Sequence, residues 1–110
     1  MIKPIEFCGH SLTELQAFPP SARREAGQQL FRVQSGVEPN DWKPMPTVGT
    51  GVVEIRIRDA AGAFRVLYIA KFAEAIYVLH CFQKKTARTR RLDLELAARR
   101  YAELLRELGK

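Results

Sequence analysis

The feature that most constrains this chain is the strict alternation of residues 52 to 58. Val53, Ile55 and Ile57 fall on one side, and Glu54, Arg56 and Arg58 on the other. Strand side chains repeat every two residues, so this segment is a strand with one buried and one polar face. Asp59-Ala60-Ala61-Gly62 reads as a turn and Ala63 to Phe72 as a second strand. Ala73-Glu74 is a tight connection to a third strand, Ala75 to Gln83. Connections this short predict an antiparallel meander.

The flanking segments add helices. Ile2 to Phe7 is β-compatible, and Pro4 marks it as an edge strand. Ser11-Leu12-Thr13-Glu14 reads as a capping box opening a short helix that ends near Phe18, before Pro19-Pro20. Ala22, Ala26, Leu30 and Val33 recur at helical spacing and predict a second helix, stopped at Gly36. Glu38 to Gly51 reads as a Pro- and Gly-rich loop around Trp42, either a functional loop or a lid on the core. Leu94, Ala97, Tyr101, Leu104 and Leu108 form the stripe of a final helix from about Arg90. The order β-α-α-β-β-β-α predicts an α+β fold, with helices packed on one face of a small, mostly antiparallel sheet. Residues 1–110 are expected to form a single domain.

Composition narrows the function classes. The longest apolar run, Ala75 to Cys81, falls far short of the roughly 20 residues of a membrane helix. Residues 1–6 lack the basic-then-apolar pattern of a secretory signal. Cys8 and Cys81 sit in apolar, strand-like segments and supply neither a disulfide framework nor a zinc knuckle. These readings predict a cytoplasmic protein with reduced cysteines and no membrane partner. Lysine and arginine total 18 against 12 acidic residues, a net charge of +6. The first fifty residues balance five against five, so the excess lies entirely in residues 51–110. Such asymmetry points to an anionic partner, and nucleic acid is the commonest.

Several chemistries find no support. Gly49-Thr50-Gly51 precedes a strand rather than a helix, so it is not a phosphate loop. His10 and His80 have no partners at ligand spacing, and neither a metal nor a cofactor is expected. What remains is the polar sheet face. Glu54, Arg56 and Arg58 share it on the first meander strand, Arg65 and Lys71 on the second, and His80 and Lys84 on the third. This set suits metal-free RNA cleavage, in which the ribose 2′-OH attacks the adjacent phosphate. The reaction needs a base, an acid and fixed cations for the phosphorane charge. The candidate catalytic residues are Glu54 or His80 as base, with Arg56, Arg65 and Lys84 as the positive field. Residues 84–91 contain no acidic residue and five cations: Lys84, Lys85, Arg88, Arg90 and Arg91. With Arg58 and Lys71, the last four are candidate RNA contacts. The same spacing is also met by a plain cross-strand ion pair between Glu54 and Arg65.

A family resemblance attaches to five segments. They are Val33-Gln34-Ser35-Gly36, Asp41-Trp42-Lys43-Pro44, Gly51 to Arg56, Phe64 to Tyr68, and Val78 to Thr86, which ends in Phe82-Gln83-Lys84-Lys85. In these the chain resembles the RelE/ParE superfamily of toxins, nearest its HigB-like, phage-derived branch. The resemblance implies the toxin of a type II toxin–antitoxin pair. Most such toxins cleave mRNA, commonly on the ribosome, whereas ParE-like members inhibit DNA gyrase. It also implies a helix-turn-helix antitoxin as cognate partner. By position, Arg56, Arg65 and Lys84 match the family's basic residues. Glu54 stands where RelE has lysine, and Arg90 stands near the place of RelE's tyrosine after the last strand. The expected function is therefore an endoribonuclease, an mRNA interferase. The alternatives are a gyrase inhibitor or a catalytically inactive RNA-binding phage accessory protein.

Overall fold

A computed structural model describes residues 2–110. The elements run β1 (Ile5–Phe7), α1 (Ser11–Gln16), α2 (Pro20–Gln34), β2 (Trp42–Pro44), β3 (Val52–Asp59), β4 (Gly62–Ile69), β5 (Ile76–Lys84) and α3 (Arg91–Glu107). They build a five-stranded sheet of order β1-β5-β4-β3-β2. β1 pairs with β5 in parallel, and the other three pairings are antiparallel. The predicted α+β class and antiparallel meander are present.

The sheet is covered on both sides, not on one. Ile55, Ile57, Phe64, Val66, Tyr68, Ile76 and Val78 meet Leu15, Ala22, Ala26, Leu30 and Val33 of α1 and α2. On the other face Val52, Leu67, Ile69, Tyr77 and Leu79 meet Ala97, Tyr101 and Leu104 of α3. Two-sided burial explains why Phe64 to Ile69 and Ile76 to Phe82 are buried at every position. By contrast, β3 extends past the cover of α3 and keeps a polar face there.

Two further expectations are corrected. The loop over 38–51 contains an edge strand, β2, which pairs Trp42 with Ile55 and Lys43 with Glu54. Trp42 therefore shares the α2 side of the sheet with Ile55 and is partly exposed at its edge, on the face opposite Lys43 and Glu54. The capping box does not form. Ser11 is the first helical residue, and its Oγ donates to the Val78 carbonyl at 3.0 Å. Glu14 turns away from the helix end, because Arg100 Nη1 and Nη2 each reach one of its oxygens at 2.9 Å. A bidentate guanidinium is a stronger partner than a backbone N–H.

Candidate active site

The pairing register lays the polar residues out in rows across the α3 side of the sheet. Lys43, Glu54, Leu67 and His80 form one row, and Arg56, Arg65 and Phe82 the next. Arg58, Ala63 and Lys84 form the third. A β-bulge at Leu67/Tyr68 makes Leu79 an extra residue, which keeps His80 and Phe82 in step with Leu67 and Arg65. In the first two rows α3 covers Leu67, His80 and Phe82 and leaves the β2–β3 ends, Lys43, Glu54 and Arg56, facing a hollow. There a cleft of about 340 Å³ opens, lined by Lys43, Met45, Glu54, Arg56, Lys84, Ala87, Arg88, Thr89 and Leu94.

Glu54 is the centre of this cleft. It is 2% exposed, and its Oε1 lies 3.4 Å from Arg56 Nε and 3.5 Å from Arg65 Nε. Its other oxygen, Oε2, is buried without a hydrogen-bond partner. An ionised carboxylate oxygen in that condition is costly unless something else completes it. Four cationic side chains, Lys43, Arg56, Lys84 and Arg88, share the lining with it. Lys84 is steadied by donating from Nζ to the Ala87 carbonyl at 2.8 Å.

The expected site residues divide. Glu54, Arg56, Lys84 and Arg88 come together on the cleft. Arg65 is 8% exposed, sits behind Glu54 and is not among the lining residues. Its Nη1 donates to the Phe64 carbonyl at 3.0 Å. Burial draws the Arg65 guanidinium below its ordinary range, and the neighbouring Glu54 charge works against that. Arg65 thus holds the carboxylate rather than meeting a ligand directly, because it stands on the central strand with Phe82 and Arg56 on either side.

His80 also departs from expectation. It is 4% exposed, and both ring nitrogens are engaged, by Glu14 and Asp93, rather than opening on the cleft. Lys71 lies beyond the far end of β4, against Gly51, with its ammonium 5.3 Å from the centre of the Phe72 ring. The sheet length separates it from Lys84, so it does not join the cleft. Arg58 is exposed in the third row. Lys85 and Arg90 line a smaller hollow with Phe82 and Gln83, on the other side of the 85–90 segment. Arg90 pairs with Asp93, and Arg91 with Glu95. Lys43 was not foreseen; its signal was the adjacency of a cation to Trp42 in a segment that reads as loop.

Among the described residues no cluster of metal-ligating side chains is present. Nor, among them, is there a helix long and apolar enough to cross a membrane.

Residues 13–102 match the family described as phage derived protein Gp49-like. No curated protein matches the sequence. Among solved structures, the chain is similar to a free, doubly arginine-to-alanine-substituted form of E. coli toxin RelE. The TM-score is 0.59 at 17% identity, over 97% of this chain and 98% of that one.

Proposed function

The chain belongs to the phage-derived Gp49-like family and has the fold of RelE, and on that premise we propose that it is the toxin of a type II toxin–antitoxin pair, an endoribonuclease acting on mRNA. The observation that carries this reading is the unpartnered, buried Oε2 of Glu54 in a cleft walled by Lys43, Arg56, Lys84 and Arg88. A carboxylate oxygen accepts protons, and the cations around it suit the charge of a phosphodiester.

In this reading Glu54 takes the proton of a ribose 2′-OH as that oxygen attacks the adjacent phosphorus. Arg56, Lys84, Lys43 and Arg88 stabilise the charge of the phosphorane. The P–O5′ bond breaks, and the leaving oxygen takes a proton from a cleft ammonium or from water. The products are a 2′,3′-cyclic phosphate and a 5′-hydroxyl end. Arg65 holds the base in place from behind, with Nε 3.5 Å from Oε1. Translated mRNA on the ribosome is the proposed substrate, and a helix-turn-helix antitoxin, as in HigB-like pairs, the proposed partner.

The test is Glu54→Gln. The substitution keeps shape and removes the proton acceptor, so RNA cleavage should fall by about 10²–10⁴ with the fold retained. Undiminished cleavage would return Glu54 to a purely structural ion pair. Pulse labelling during expression provides the second arm: protein synthesis should fail before DNA synthesis. The reverse order would favour gyrase inhibition.

A further inference from the structure

The side chains around His80 form a buried polar constellation that the proposed reaction leaves unused. The imidazole lies nearly parallel to the Phe82 ring, centroids 5.0 Å apart and planes inclined by 20°. Nδ1 stands 2.9 Å from Glu14 Oε1, and Nε2 stands 2.8 Å from Asp93 Oδ1. Arg100 Nη1 also lies 3.4 Å from Nδ1, so the ring is enclosed by Glu14 and Arg100 on one side and by Asp93 on the other. Glu14 is itself held by the fork of Arg100 and by the Cys81 N–H at 3.1 Å. One ring therefore joins β5 to α1 on one side and to α3 on the other.

The Asp93 end matters most for the cleft. Asp93 is in the first turn of α3 and is 5% exposed. Its Oδ2 accepts from Arg90 Nε at 3.0 Å, and its N–H donates to the Arg90 carbonyl at 3.0 Å. Residues 85–90 span the gap between β5 and α3 with no strand or helix of their own. Yet Ala87, Arg88 and Thr89 make one wall of the cleft. A wall of irregular backbone keeps its shape only if both ends are fixed. The end of β5 fixes one, and the His80–Asp93 contact fixes the other.

We propose that His80 is a positioning residue: its contact with Asp93 sets the start of α3 and so preorganises residues 85–90 as the wall that meets the RNA backbone. The identity of the ligand rests on the ribonuclease reading; the ordering of the segment does not. Without the contact, the segment's ordering would be drawn from the binding energy of each RNA molecule.

The experiment compares the full chain with His80→Gln and Asp93→Asn. Amide hydrogen exchange is followed by residue, and affinity is measured for an uncleavable 2′-O-methyl RNA oligonucleotide. Amides in 85–90 should exchange at least about tenfold faster in both variants, while those of β3 and β4 keep their protection. Affinity should fall about tenfold, and in cleavage assays KM should rise more than kcat falls. Unchanged exchange in 85–90 in a folded variant overturns the proposal. Should both variants fail to fold, the wild type decides by proton NMR. A slowly exchanging Nε2–H signal from His80 supports the clasp, and its absence overturns it. Faster exchange in the variants of a chain that binds no RNA would sustain the clasp and sink the ribonuclease reading.

Discussion

Arg56 and Arg65 stand directly opposite each other across the β3–β4 ladder, and one carboxylate, Glu54, reaches both. Like charges in register destabilise a sheet. Here they also leave Arg65 Nε buried and without a hydrogen bond. A sheet selected for stability alone would have an apolar residue at one of these positions. The arrangement makes sense as a mount for Glu54, which receives a positive charge from below and from beside.

Arg65→Met tests that mount. Methionine fills the volume and removes the charge beneath Glu54. RNA cleavage should drop by about 10², the cost of a base displaced from its productive geometry, while the protein retains a cooperative melt. Wild-type cleavage in this variant would show that Arg56 alone suffices.

Glu14 governs acid stability. Burial alone would raise its pKa, but hydrogen bonds from His80, Arg100 and the Cys81 N–H hold it near 2, against an ordinary 4.5. A depressed carboxylate contributes stability above its unfolded pKa and loses it as pH falls toward the folded value. Urea midpoints should therefore fall between pH about 4.5 and about 2. In Glu14→Gln that slope should flatten, and stability at pH 7 should drop by about 3 kcal/mol, because Arg100 is left buried beside a neutral group. An equal acid slope in both proteins would refute the assignment.

The cations of residues 84–91 should not be equivalent. Arg88 lines the cleft, whereas Arg91 lies outside it and pairs with Glu95. If RNA follows the cleft, Arg88→Gln should reduce the salt dependence of binding by about 0.7 in log–log slope, one phosphate contact. Arg91→Gln should change it far less. Equal effects would mean that a diffuse field, not the cleft, carries the affinity.

Gly49 is a packing test independent of function. A methyl group built there runs into the ring of Tyr101, whose hydroxyl donates to the Thr50 carbonyl at 3.0 Å. Gly49→Ala should cost about 2 kcal/mol through overpacking, readable in the urea midpoint. An unchanged midpoint would mean that Tyr101 can swing aside without loss.

Much of the fold was legible because its signals are local. The alternation of β3 and the helical spacing of Ala22, Ala26, Leu30 and Val33 need no distant partner. Two-sided burial was also written in the sequence, in the unbroken apolar runs Val66 to Ile69 and Ile76 to Leu79, but it needs those runs to be read as central strands. Glu14 could not be read correctly. The residue that turns it from cap to network is Arg100, 86 positions away. Of the site, period two alone places Glu54 beside Arg56. It does not say which charges are covered, so Arg65 and His80 read as surface groups until Phe82 and the first turn of α3 are set beside them. β2 was hidden because three residues ending in proline carry almost no strand pattern.

The parallel pairing of Ile5 with Ile76 bears on how the chain is made. An N-terminal strand whose sole sheet neighbour is the penultimate element cannot dock while the ribosome is still translating the middle of the chain. Synthesis from the N-terminus therefore leaves β1 waiting for β5, and the loop between them must close at the entropic cost of a long span. Such non-local closure slows folding relative to helical bundles of this size. Asp93 emerges later still, so the cleft acquires its second wall only after the sheet beneath it has been completed.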